Sequence, residues 1–205
     1  MTKKMGLLLL GAVLAGYCGL QRAQGMPAAG AIDYTAEPVQ EEVDRDPFQV
    51  ETGKGAVTLQ PRATFDISAV VAAAESYRFD GGSFLSPVDL VLTWGDLPDE
   101  PYKGLVSYNQ TSRFYFWRTP SNSLDLRYIE SHSANMHMIP ATPNLRKALR
   151  GVDDGDLVRI KGLLVEASTA DGFTWGTSMR RTDTGPGACE LIWVEELQVG
   201  RKVYR

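Results

Sequence analysis

Only one stretch of this sequence reads clearly as a helix, and it is two turns long. Thr142 is a good N-cap and Pro143 suits the first helical position. Leu145, Ala148 and Leu149 follow at i, i+3, i+4, and Gly151 can close the helix. So short a helix is not stable alone; it must plug or cap something. Around it the chain reads as strands. Phe65, Ile67, Ala69 and Val71 alternate with Thr64, Asp66 and Ser68. Val88 to Trp94 is a run of β-formers, Arg113 to Trp117 is dense in aromatics, and Leu124 to Ile129 alternates again. After the helix come Leu157 to Ala167, with Gly162 marking a bulge or bend, then Phe173 to Ser178 and Ala188 to Val194. Asp80-Gly81-Gly82, Ala170-Asp171-Gly172 and Thr184-Gly185-Pro186-Gly187 are turn signals. The expected fold is mainly β: a small OB-like, partly open barrel with one short helix between the third and fourth strands. A β-sandwich with a crossover helix is the alternative.

The N-terminus reads as an export segment. Lys3 and Lys4 precede Met5 to Leu20, which carries no charge, and Ala23-Gln24-Gly25 offers small residues for cleavage. The apolar stretch is 16 residues, short against the roughly 17–25 of a bilayer span. Residues 1–25 are therefore expected to be a signal peptide or, if uncleaved, a membrane anchor. Residues 26–55 hold Pro27, Pro38 and Pro47, and within them 33–46 sets Asp33, Glu37, Glu41, Glu42, Asp44 and Asp46 against Arg45 alone. That composition suggests a disordered acidic linker. The folded domain is expected over 56–199, and 200–205 as a basic tail. The location implied is the periplasm or the periplasmic face of a bacterial inner membrane.

The segments 131–140, 155–162 and 181–190, with Ser131-His132-Ser133-Ala134-Asn135-Met136-His137 the most distinctive, resemble those of uncharacterised bacterial proteins with one N-terminal hydrophobic segment. The resemblance runs over roughly 60–197. It implies location and no activity.

The chain has 205 residues and a net charge of −4, which argues against nucleic acid as a partner. Two Cys and two His leave little room for metal or disulfide chemistry. Cys18 lies in the apolar segment, so an exported chain would bury Cys189 or pair it with another chain. Cys189 with His132 or His137 as base, oriented by Asn135 or Asp183, would make a cysteine-dependent hydrolase. However, Cys189 opens an apolar strand in parity with Leu191 and Trp193, which favours a structural thiol. Glu130, His132 and His137 are too few and too awkwardly spaced for zinc, and no cofactor is expected. The candidate ligand-binding residues are His132, Asn135, His137, Arg181 and Asp183. Here the polar Ser131–His137 stretch is read as a loop pinned at both ends, with His132 or Arg181 facing a groove. Tyr115, Trp117 and Trp175 could stack on a sugar. The expected function is non-catalytic binding or scaffolding in the envelope, with a protein or saccharide partner, and the membrane as a further partner if the N-terminal segment stays attached.

Overall fold

The computed structural model describes residues 23–28, 30–183, 185 and 187–205. The apolar segment 5–20 lies outside them. No helix among the described residues is long and apolar enough to cross a membrane.

The segment expected as a disordered linker instead carries three strands: β1 (Met26–Pro27), β2 (Val39–Glu42) and β3 (Phe48–Thr52). β2 and β3 both pair antiparallel with β4 (Gly55–Ser76), a strand of 22 residues. The linker's polar sequence misled because its order comes from backbone ladders, which need few large side chains. Phe48 and Val50 supply the packing against a cluster that holds Val57, Leu59 and Leu163. After β5 (Val88–Thr93) comes a two-stranded hairpin, β6 (Ser107–Thr111) and β7 (Phe114–Arg118).

The strand expected over 124–129 is in fact helix α1 (Leu126–Ser131). Asp125 caps it, accepting hydrogen bonds from the N–H groups of Arg127 and Tyr128, and that cap overrides the short alternation. The polar stretch expected as a loop is mostly β8 (Ser133–Pro140), all but one of whose residues are buried. α2 (Pro143–Leu149) begins where expected, with Thr142 accepting the Leu145 N–H at 3.1 Å. The chain ends with β9 (Leu157–Ser168), β10 (Thr174–Trp175), β11 (Glu190–Val199) and β12 (Lys202–Tyr204). The basic tail is thus a strand.

Among the described residues the protein is mainly β, with two helices. The main sheet runs β1-β12-β11-β8-β5-β4-β9-β10, and β9 pairs with β11 as well as β4. The sheet therefore curls into a partly ring-like arrangement. β8 and β11 are parallel; the neighbouring ladders are antiparallel. The ring encloses Phe65, Ile67, Leu90, Met136, Ile160 and Ile192, among others, and α2 adds Leu145, Ala148 and Leu149 to that cluster. Gly162 lies against β11, which carries an irregularity between Val194 and Glu196. Residues far apart in the chain meet: β1 pairs with β12, and Asn144 Nδ2 donates to the carbonyls of both Gln24 and Arg205.

Candidate functional site

The outer face of β5 and β8 is polar and yet buried. In β8, Met136 and Met138 point into the ring, so alternation sends Ser133, Asn135 and His137 to the other side. The register sets Asp89 of β5 opposite His137 and Val91 opposite Asn135. The β6–β7 hairpin lies over this face. Gln110 donates to Asn135 Oδ1 at 2.6 Å, Asn135 Nδ2 donates to the Arg113 carbonyl at 2.9 Å, and Tyr115 donates to the Ser133 carbonyl at 3.0 Å.

Arg113 fastens the hairpin tip. It and Ser112 have positive φ, 73° and 50°, the type I′ geometry that glycine or asparagine usually supplies. The guanidinium donates to Asp89 Oδ1 at 2.8 Å, to Asp80 Oδ1 at 2.9 Å and to the Ser86 carbonyl at 2.9 Å, and it covers the Tyr77 ring. The Arg113 hydrogen bond holds the Asp80 carboxyl below its ordinary range, against the opposing effect of burial. Asp89 is fully buried, and its Oδ2 lies 2.9 Å from His137 Nδ1. That contact lies off the ring N–H line, so both atoms lack an aligned hydrogen bond. With Nδ1 against Asp89, Nε2 is the imidazole nitrogen left for a ligand.

Two cavities open along this face. The first, about 460 Å³, is bordered by Asp80, Arg113, His137, Phe173 and Trp175. The second, about 340 Å³, lies beside β7, with Arg181, Asp183 and Glu190 on its border. Phe114 and Cys189 border both.

The structure scatters the expected site residues. His132 borders neither cavity: it stacks on Tyr128 with ring centres 3.7 Å apart, and its Nε2 lies 2.9 Å from Glu37 Oε1. Asn135 and His137 belong to a strand; Asn135 bonds the β6–β7 hairpin and His137 lies against Asp89 of β5, neither pinning its own segment. Arg181 does border a cavity. There it donates to Glu190 Oε1 at 2.6 Å and to Gln40 Oε1 at 2.7 Å. Asp183 accepts the Ser178 hydroxyl at 2.7 Å. Of the expected aromatic face, Trp175 borders the first cavity, Tyr115 turns toward β8, and Trp117 packs beside Leu97, Leu124 and Ile129.

Cys189 is half-buried, and its thiol is pushed up to about 11 by burial. Asn135 Nδ2 lies 3.7 Å from Sγ and the Arg113 carbonyl 4.0 Å, and no imidazole bonds it. A thiol so held stays protonated at neutral pH, a poor start for a nucleophile. No group of three or more His, Cys, Asp or Glu among the described residues could hold a metal ion.

The sequence reading missed Asp89, Arg113 and Glu190. Asp89 and Glu190 did leave a signal, since each is a carboxylate in or at the start of an apolar run. Burial raises the Glu190 carboxyl to about 7, although Arg181 opposes the rise. The sign follows from proton linkage. The native state holds this proton more tightly than the unfolded chain does. Its contribution is thus fully present below about 4.5 and is lost as pH rises through about 7. Melting of the native chain against Glu190→Gln from pH 5 to 8 should show native stability falling by about 3 kcal/mol relative to the variant. Parallel curves would refute it.

Compared with protein-family models, curated proteins and solved structures, the chain matches none.

Proposed function

We propose that this is an exported binding protein of the bacterial envelope, non-catalytic, that takes a saccharide in the first cavity. The ladder cycle β4-β5-β8-β11-β9, with α2 between its third and fourth strands, supports an OB-like reading. In OB folds the face of the second and third strands and the loops before the second and after the fourth bind oligosaccharides and oligonucleotides. Here those parts are β5, β8, the 77–87 loop and the 169–189 segment. The observation that carries the proposal is the composition of that cavity. Trp175 and Phe173 give apolar walls for the C–H faces of a sugar ring, while Asp80, Arg113 and His137 offer acceptors and donors for hydroxyls. The chain's acidity disfavours an oligonucleotide. The acidic N-terminal segment and the apolar stretch before it support export, with the domain held at the outer face of the inner membrane or free in the periplasm.

The test is titration of the intact chain with a panel of neutral hexose and N-acetylhexosamine oligomers, followed by calorimetry. At least one member should bind, and Trp175→Ala should weaken it by tenfold or more with the fold retained. No binding across the panel, or equal binding by Trp175→Ala, would refute the proposal.

A further inference from the structure

The β6–β7 hairpin leaves one edge of β7 unpaired with any strand among the described residues. Its turn is two residues, Ser112 and Arg113, so Thr111 and Phe114 form the hydrogen-bonded pair that closes it. Bonded and non-bonded pairs then alternate along the ladder. Tyr115 and Trp117 accordingly turn their backbone N–H and C=O groups away from β6. Those groups meet the second cavity. Phe114, Tyr115, Phe116 and Trp117 all border it. Their side chains alternate between the hairpin's two faces, so four in a row can share one cavity only along the strand's edge.

The opposite wall provides an independent observation. Glu190 is 1% exposed and borders this same cavity. Its Oε1 is used by Arg181, but its Oε2 is buried with no hydrogen-bond partner. An unpaired buried carboxylate oxygen costs stability and calls for a donor. Three carboxylates border the cavity (Glu130, Asp183 and Glu190) against the guanidinium groups of Arg180 and Arg181. Arg181 is already committed to Glu190 and Gln40. A basic side chain would supply that donor and offset the excess of acidic groups over guanidinium groups on this wall. Phe114 and Phe116, 42% and 57% exposed, add ring surface on which a cationic stem can lie.

We propose that the second cavity receives an extended peptide, which adds as a third strand along β7 and presents a lysine or arginine side chain to Glu190 Oε2. The regularly spaced edge groups of Tyr115 and Trp117 match a peptide backbone, which supplies affinity, and the carboxylate supplies selection for the basic residue. This site lies on the other side of Phe114 and Cys189 from the saccharide cavity, and the proposal does not rest on that reading.

The test is selection of a fully randomised hexapeptide library on the intact chain. Lysine or arginine should be enriched at least fivefold at one position, and the enrichment should vanish on Glu190→Gln. For one selected peptide, acetylation of its lysine should weaken binding at least tenfold. Amide exchange at Tyr115 and Trp117 should slow when that peptide binds the native chain, a reading that needs no variant. Selection without a basic preference, equal selection on a folded Glu190→Gln, or unchanged exchange at β7 would each overturn the proposal. So would a dimer, seen by sedimentation, that pairs β7 with β7 and excludes the peptide.

Discussion

Replacing Asp89 with alanine should cost the fold about 3–5 kcal/mol, the range for removing one partner from a buried ion pair. Asp89 is fully buried and answers two groups: Arg113, whose side chain is 13% exposed, and His137, 5% exposed. Alanine would leave both without that carboxylate in a place water reaches poorly. It would also loosen the hairpin, because Arg113 fastens the β6–β7 tip through Asp89 and Asp80 together. Asp89→Asn keeps the shape and one acceptor, and should cost less. A double variant, Asp89→Asn with Arg113→Met, should cost less than the sum of its single changes, since the two residues share one interaction. Urea unfolding checks all of these. A loss below about 1 kcal/mol for Asp89→Ala, within the range of an ordinary substitution, would show that the network contributes little.

Gly162→Ala should be as damaging for a different reason. A Cβ at Gly162 would lie 1.8 Å from the Trp193 carbonyl oxygen and 2.9 Å from its carbon. Both obstacles are backbone within the β9–β11 ladder, so neither can rotate away. Relief would have to part the two strands where the ring-like sheet comes together. Overpacking costs about 1–3 kcal/mol where side chains can adjust, and more where they cannot, so we expect about 3 kcal/mol or a failure to fold. Gly53→Ala is the matched control: nothing lies within 4 Å of its Cβ position. If the two variants melt together, the close approach at Gly162 does not govern the fold.

These two residues also show what the sequence could disclose. Gly162 announced itself, as a glycine within a long apolar run has few reasons to be there. α2 was equally plain, because Thr142, Pro143 and the apolar spacing agree. β8 was obscured by its own chemistry. Ser133, Asn135 and His137 alternate with Ala134, Met136 and Met138, a strand pattern, but three polar residues suggested a solvated loop. What made them buried was a hairpin some twenty residues upstream, and no local pattern reports that. The same holds for residues 26–55, whose order depends on ladders to β4, and for Asp89, whose partners Arg113 and His137 come from other elements.

The pairing of β1 with β12 makes closure of the fold wait on residues far along the chain. A chain made from its N-terminus produces Met26–Pro27 long before Lys202–Tyr204, the partner of that pair. Asn144 can clasp Gln24 long before Arg205 has been made. The ring-like sheet has the same delay, since β11 supplies ladders to both β8 and β9. A growing chain can thus form local pieces, such as the β6–β7 hairpin and the β3–β4 ladder, but not the enclosed core. The core can close only once β11 and β12 have been made, and until then the apolar strands remain open to other chains.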